Sequence, residues 1–538
     1  MTLSTITGTP VLEIEGLSVA LPRGLDRPYA VNNLSLSIKS REIACVVGES
    51  GSGKSVTASV VMGLLPNGLR FERGSVRLEG EEIGNASERR LNALRGNRIA
   101  MIFQEPLTAL NPVMRLGDQI AEVLNLHKPD MGKVAVRERV LELLSDVSLP
   151  SPETLYSRYP HQISGGQRQR VMIAMALAME PALIIADEPT TALDVTTQAQ
   201  ILRLFRELLV KHDSAILMIT HDFGVVADVA DHVTVMKHGD VVESGTPDQV
   251  LGNPQHAYTR ELIAAVPRLR YLPRSEPAAP VLEVKDLHLT YSQAGWLRKK
   301  EEVHALSGVS FSLAPRQTLG VVGESGSGKS TLARAVLGFE KPNSGQIRFG
   351  QQDLLSLPPA VLANSRHRIQ MIFQDPYSSL NPRRRIGQSL VEGPIRHGKS
   401  SADAHRRAIE LLDLVGLQAS SMERFPHEFS GGQRQRLCIA RALALEPEVI
   451  VADEAVSALD VTVQAQVLQL FRSLQDELGF AMLFITHDLR VASNICNHIA
   501  VMSSGKIVEM GEAREVFDAP RHAYTRELIA ALPGAELH

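Results

Sequence analysis

A chain of 538 residues is longer than one hydrophobic core sustains, because single cores stop growing at roughly 250 to 300 residues, so two domains are expected. Its composition, 44% hydrophobic and 22% charged, is that of soluble globular proteins and excludes a fibrous or disordered chain. A net charge of -4 lacks the basic excess that a phosphate backbone requires, which argues against a nucleic-acid partner.

Cys45, Cys438 and Cys496 are too few and too dispersed for a disulfide framework or a metal cluster, as suits a reducing compartment. The most apolar stretch, 171–186, is interrupted by Glu180 and Pro181 and falls short of the ~20 residues that span a bilayer. The opening MTLSTITGTPVLEIEG has neither the basic nor the apolar region of a signal peptide. No intrinsic membrane span is expected. The basic run Arg383, Arg384 and Arg385 reads as a solvated face.

In chain order, the first strong element is the apolar run IACVV at 43–47, which enters Gly48, Glu49, Ser50, Gly51, Ser52, Gly53, Lys54 and Ser55, followed by Val56 and helical sequence. This loop fits G-x-x-x-x-G-K-[ST]. Small residues let backbone N–H groups turn inward around phosphate oxygens, the helix adds its positive end, the lysine reaches the outer phosphates and the serine hydroxyl meets Mg²⁺. Next come IFQEPLTALNP at 102–112 and amphipathic segments that read as a helical subdomain reaching to Ser164. ALIIAD at 182–187 then ends in Asp187 and Glu188. An acidic pair held rigidly at a strand end can serve a metal shell and an attacking water. VTTQAQILRLFRELLVKH at 195–212 reads as helix, AILMIT at 215–220 and HVTVM at 232–236 as strands. Buried strands alternating with helices predict a mostly parallel sheet.

The sequence then repeats itself. GESGSGKS returns as Gly323, Glu324, Ser325, Gly326, Ser327, Gly328, Lys329 and Ser330, followed by Thr331, with Lys329 lying 275 positions after Lys54. IFQDPYSSLNP at 372–382, PHEFSGGQRQR at 426–436 and the acidic pair Asp453 and Glu454 follow in the same order, and from Ser164 onward the offset stays at 266. A duplicated domain explains the length. The halves are expected at 1–266 and 281–538, joined by the proline-rich and charged linker PRLRYLPRSEPAAP at 267–280.

At this point a family resemblance becomes specific. Ser164, Gly165, Gly166 and Gln167, repeated as Ser430, Gly431, Gly432 and Gln433, resemble the signature of ATP-binding cassette (ABC) proteins. Gln104 and Gln374 match that family's Q-loop glutamine, TALD at 191–194 and SALD at 457–460 its D-loop, and His221 and His487 its switch histidine. The resemblance covers nearly the whole chain and implies an ATPase with a matching fold. That fold is two P-loop nucleotide-binding domains, each a RecA-like α/β core with an antiparallel β subdomain and a helical signature subdomain.

The resemblance also implies ATP and Mg²⁺ as cofactors, with Glu188, Glu454, His221, His487, Gln104 and Gln374 as catalytic residues. Ser55, Gln104, Asp187, Ser330, Gln374 and Asp453 would serve the metal. ATP would be sandwiched head to tail, each phosphate loop facing the other half's signature. HAYTRELIAAVP at 256–267 and HAYTRELIAALP at 522–533 resemble the ATPase subunits of oligopeptide, dipeptide and nickel importers. Two integral membrane permease subunits, an extracytoplasmic solute-binding protein and a peripheral place on the cytoplasmic face of a bacterial inner membrane are the implied partners and location. Peptide is the favoured cargo, with nickel, opines, sugars and glutathione open. A twin-cassette ATPase acting on ribosomes or DNA is the alternative; the short linker and the scattered cysteines speak against it.

The halves are not identical. Tyr291 lies where family members place an aromatic that stacks on adenine, and the matching residue is Leu21, with Tyr29 as a ring that could replace it. Met175 stands opposite Arg441, and Pro189 opposite Ala455, while both glutamates persist. Two hydrolytic sites of unequal nucleotide affinity are therefore expected.

Overall fold

The computed structural model describes residues 9–24, 26–190, 193–273, 278–293, 301–457 and 459–534. The chain divides into two compact units, with bodies at 9–193 and 197–265 for the first and 266–531 for the second.

In the first unit the central strands are continuous apolar runs, as burial on both faces requires. Ile43–Val47 lies between Ala215–Thr220 and His232–Lys237, and Leu183–Asp187 and Ile99–Ile102 extend the sheet beyond Ala215–Thr220. All of these pairings are parallel. Asp240–Gly245 closes the edge antiparallel to His232–Lys237. An antiparallel layer of Leu12–Ala20, Tyr29–Ile38, Arg70–Leu78 and Glu81–Glu82 adjoins it through the pairing of Asn32 with Asp240.

The second unit repeats the plan. Ile369–Ile372, Val449–Asp453, Ala481–Ile485, Thr318–Val322, His498–Ser503 and Lys506–Glu512 form a six-stranded sheet in that order, parallel except at the last pair. A separate four-stranded antiparallel sheet is built on Leu282–Gln293 and Glu301–Leu313.

From the Q-loop segments through the signatures each unit inserts helices. In the first unit these include Leu116–His127, Lys133–Asp146 and Gly165–Ala176. Leu116, Ile120 and Leu124, spaced four apart on Leu116–His127, are buried together, which is the spacing that gives a helix one apolar face. The same packing recurs in Ile386–Arg396, Ser401–Leu414 and Gly431–Leu443. The helix expected at 195–212 spans Val195–His212.

The first residues of the expected linker are not free of structure. Asn494 Nδ2 donates to Arg268 O at 2.6 Å, Tyr271 OH donates to Asp518 Oδ1 at 2.6 Å, and the Tyr271 ring stacks on Phe517. This stretch is therefore anchored to the second unit. Cys45, Cys438 and Cys496 are unbridged and buried, and burial pushes the Cys45 and Cys438 thiols up to about 12 and about 11. Among the described residues no helix is long and apolar enough to cross a membrane, and no cluster of three or more His, Cys, Asp or Glu side chains could hold a metal ion unaided.

Candidate nucleotide-binding and hydrolytic site

Each phosphate loop leaves the buried end of a central strand and enters a helix, Lys54–Val61 in the first unit and Lys329–Val336 in the second. Gly53 and Gly328 precede these helices with φ of 108° and 106°, in the left-handed region that favours glycine. A Cβ on Gly53 would sit 2.4 Å from Ala30 O, and one on Gly48 would sit 2.2 Å from Met236 O. The glycines are thus required by the chain's own packing. Lys54 and Lys329 are buried. Lys54 Nζ donates to Gly48 O at 2.7 Å and Glu49 O at 2.9 Å; Lys329 Nζ donates to Gly323 O at 2.7 Å and Glu324 O at 2.8 Å. Burial lowers the Lys329 pKa, against the pull of nearby acids that include Glu454 and Asp453.

The acidic pairs sit at the neighbouring strand ends. Ser55 Oγ donates to Asp187 Oδ1 at 3.3 Å, and Ser330 Oγ to Asp453 Oδ1 at 3.2 Å. Burial is the main reason that both aspartates lie above the usual carboxylate range. A hydroxyl and a carboxylate side by side are hard oxygen donors, and Mg²⁺ commonly takes one or two protein carboxylates and fills its octahedron with phosphate and water. The residues present therefore fit that cation. The hydroxyls of Ser52 and Ser327, buried inside the loops, have no hydrogen-bond partner within the chain, as fits a cradle built for a polar ligand.

Glu188 and Glu454 adopt φ of 47° and 49°, a left-handed backbone that costs a residue with a Cβ of order 1 kcal/mol or more. Their N–H groups donate to Ile219 O at 2.8 Å and Ile485 O at 2.9 Å, which holds the turn. Each carboxylate is then gripped from two sides. Gln104 Nε2 and Gln374 Nε2 each donate to it at 2.7 Å, while His221 Nδ1 lies 3.1 Å and His487 Nδ1 3.4 Å from the other oxygen. The histidines precede Asp222 and Asp488, which cap Phe223–Val229 and Leu489–Ile495 by accepting two backbone N–H bonds each. Burial opposes charge on both rings, yet the carboxylates beside them raise their pKa values above the usual 6.5. Burial likewise opposes charge on Glu454, but the His487 hydrogen bond and charge hold its pKa below 4.5.

Gly165–Ala176 and Gly431–Leu443 begin at the signatures. Ser164 and Ser430 accept from the N–H of Gln167 and Gln433 at 3.3 Å, and those glutamines accept in return from the serine N–H groups at 3.2 and 3.0 Å. This reciprocal cap fixes both helix starts, with Gly165 exposed and Gly166, Gly431 and Gly432 half-buried in the first turn. Tyr291 and Leu21 occupy matching places, each partly buried against its unit's core, and Tyr29 pairs with Ala20 across the hairpin. Of the expected D-loops, Thr191, Ala192 and Ala458 lie outside the described residues. Val56 and Thr331 are half-buried just after the loop lysines.

With this geometry in place, comparison with known proteins decides the family. A model of the ABC transporter family matches residues 31–191 and 306–457, and a second, the C-terminal region of oligopeptide/dipeptide transporters, matches 242–283 and 508–537. The chain belongs to the ABC transporter ATP-binding family. It is 48% identical to the glutathione import ATP-binding protein GsiA of Shigella dysenteriae and to that of Escherichia coli K12, in each case over 98% of this chain and 90% of the relative. A solved dimeric ATP-binding cassette, MJ0796 bound to ADP and Pi, is 28% identical, with 43% of this chain and 99% of that one covered and a TM-score of 0.39. As an ABC cassette pair the chain is an ATPase.

One pair of residues at the ABC cassette site escaped the sequence reading. Tyr258 and Tyr524, in the repeated HAYTREL segments, accept hydrogen bonds from the phosphate-loop N–H groups of Glu49 at 3.3 Å and Glu324 at 3.1 Å. Glu243 and Glu509 anchor these segments by accepting from the N–H groups of Gln255 and His256, and of Arg521 and His522. The tyrosines' repetition at one constant offset was the available signal. Removing the hydroxyl leaves a loop N–H without its acceptor, at about 1 kcal/mol. Tyr258→Phe combined with Tyr524→Phe is therefore expected to lower the stability of the nucleotide-free protein by about 1 kcal/mol at each loop, read as a fall in the thermal unfolding midpoint.

The His487–Glu454 pair makes a pH prediction. A histidine pKa raised on folding gives stabilisation that is complete below 6.5 and is lost as pH rises through the folded value; the lowered Glu454 pKa gives stabilisation that is lost as pH falls through its own. The stability difference between wild type and His487→Gln, measured without nucleotide, should be largest between those limits and shrink as pH rises from about 6 to about 9. A difference that grows with pH contradicts the pairing.

Proposed function

We propose that this chain supplies the energy for import of peptides or peptide-like solutes, hydrolysing ATP at two sites to drive separate membrane permease subunits that receive cargo from an extracytoplasmic solute-binding protein. The observation that carries this reading is the full-length likeness to glutathione import ATP-binding proteins. Glutathione is itself a short peptide, so that likeness and the paired oligopeptide/dipeptide C-terminal regions agree on one solute class. The chain acts peripherally at the cytoplasmic face of a bacterial inner membrane, attached through the permease.

In this reading each ATP site is composite. Lys54, Asp187, Glu188 and His221 work with Ser430, Gly431, Gly432 and Gln433; Lys329, Asp453, Glu454 and His487 work with Ser164, Gly165, Gly166 and Gln167. A Cβ on Gly165 or Gly431 would meet nothing within 4 Å. The glycine is therefore not demanded by its own neighbours, and close approach of a phosphate to the helix start supports the choice. Mg²⁺, when bound, neutralises charge on the outer phosphates. The lysine holds the same phosphates, the glutamate orients the water and accepts its proton, and the glutamine and histidine keep that carboxylate aimed. Closure on two nucleotides and release on hydrolysis give the power stroke. Replacing Lys54 and Lys329 together by Ala should lower ATP turnover by a factor of about a hundred or more and abolish glutathione uptake in cells that depend on this importer. Persistent turnover would contradict the assignment of the loops; normal turnover by the wild type without glutathione uptake would redirect the cargo.

The surfaces following Gln104 and Gln374 are read as the seats of short cytoplasmic helices from the permease. Phe103, Val113, Phe373 and Tyr377 are exposed there. On the second unit a groove of about 460 Å³ has Phe339, Met371 and Phe373 on its walls and Glu392, Arg396 and Arg441 among its charged lining. An apolar groove with charged margins suits an amphipathic helix. Because Gln374 grips Glu454, a helix pressing on this segment can alter the hydrolytic carboxylate. Photocrosslinkers placed at Thr108 and Ser378 should capture membrane subunits, and capture of ribosomal proteins alone would refute transport.

A further inference from the structure

The two units differ where a nucleotide is approached from the antiparallel hairpin. Tyr291 in the second unit corresponds to Leu21 in the first, and the facing strands differ too. The 275-residue offset that relates Lys54 to Lys329 pairs Arg27 with Glu302. It holds in the folded strands, because Asn32 and Ser307 donate their N–H groups to Gly239 O and Gly505 O at 2.8 Å in both units.

Arg27 reaches the phosphate loop. Its Nη2 donates to Gly51 O at 2.5 Å, its Nη1 lies 3.3 Å from His238 Nδ1, and its Nε is buried with no hydrogen-bond partner. Leu21 N–H donates to Pro28 O at 2.8 Å, so the arginine leaves the hairpin beside the position that lacks the aromatic ring. A guanidinium is always charged, planar and able to offer several donors to phosphate oxygens. Its counterpart Glu302 carries the charge that repels them.

We propose that Arg27 binds the phosphate groups of the nucleotide in the first unit, so that this site holds ATP by charge where the second relies on the Tyr291 ring. The inference rests on the reading of Gly48 to Ser55 as a nucleotide loop. It makes the unequal sites different in kind as well as in strength: affinity at the first depends on ionic strength and is shared by ligands without a base.

The test uses the full-length protein carrying Lys329→Ala, in which binding reports the first loop. Mg²⁺-ATP and Mg²⁺-tripolyphosphate are titrated calorimetrically over a range of KCl concentrations. Arg27→Gln is expected to weaken both ligands by the same factor, on the order of tenfold, and to flatten the dependence on KCl; Arg27→Lys should restore part of each. Unchanged affinities overturn the proposal. So does a loss confined to ATP, which would mark a base contact, or an equal loss with an unaltered salt dependence, which would mark a residue that only shapes the loop. Lys54→Ala serves as the control for the underlying reading. If it leaves binding intact, the nucleotide-loop assignment itself fails; if it abolishes binding while Arg27→Gln does nothing, only the role of Arg27 falls.

Discussion

Parallel strands in each half end in register at one edge of the sheet, and the chemistry depends on that alignment. Val47 pairs with Thr220 and Asp187 with Ile219 in the first unit; Val321 and Asp453 both pair with Ile485 in the second. The phosphate loop, the acidic pair and the switch histidine therefore emerge as neighbours although 80 residues or more of chain can separate them, as between Gln104 and Glu188. A shift of one residue along a strand would turn the acidic side chains to the opposite face, so burial of Ile185 and Ile219 on the sheet also sets where Asp187 points. Ligands gather beyond the carboxyl ends of parallel strands for this reason.

At that edge the environments of adjacent acids diverge. Burial raises Asp453, which makes an anion there unfavourable without a cation, whereas Glu454 beside it is held ionised by His487. Two consecutive carboxylates thus differ in how readily each carries charge, Asp453 raised by burial and Glu454 lowered by His487. The lysine carries the complementary charge, buried and held by two loop carbonyls.

Local chemistry was legible in the sequence and distant chemistry was not. The apolar runs, the glycine loops and the helix at 195–212 could be read because their signals are contiguous. Family resemblance singled out Gln104, His221 and Glu188, but their contact with one another came from the structure, since neither spacing nor composition brings those side chains together. Nothing local announced that Tyr258 would meet Glu49, 209 residues earlier, or that the segment read as a free linker would be held by Asn494 and Asp518, 226 and 247 residues beyond their partners. A proline-rich, charged composition reports a weak tendency to form elements, not an absence of attachment.

The left-handed backbone at Glu188 and Glu454 sets conformational ease against side-chain contacts. At such a position the residue that relaxes the backbone most is glycine, but glycine would also delete the carboxylate and with it the contacts from Gln104 and His221, or from Gln374 and His487. Both acids stand in the unfavourable conformation, at φ of 47° and 49°, so the chain bears that backbone cost in each of its halves.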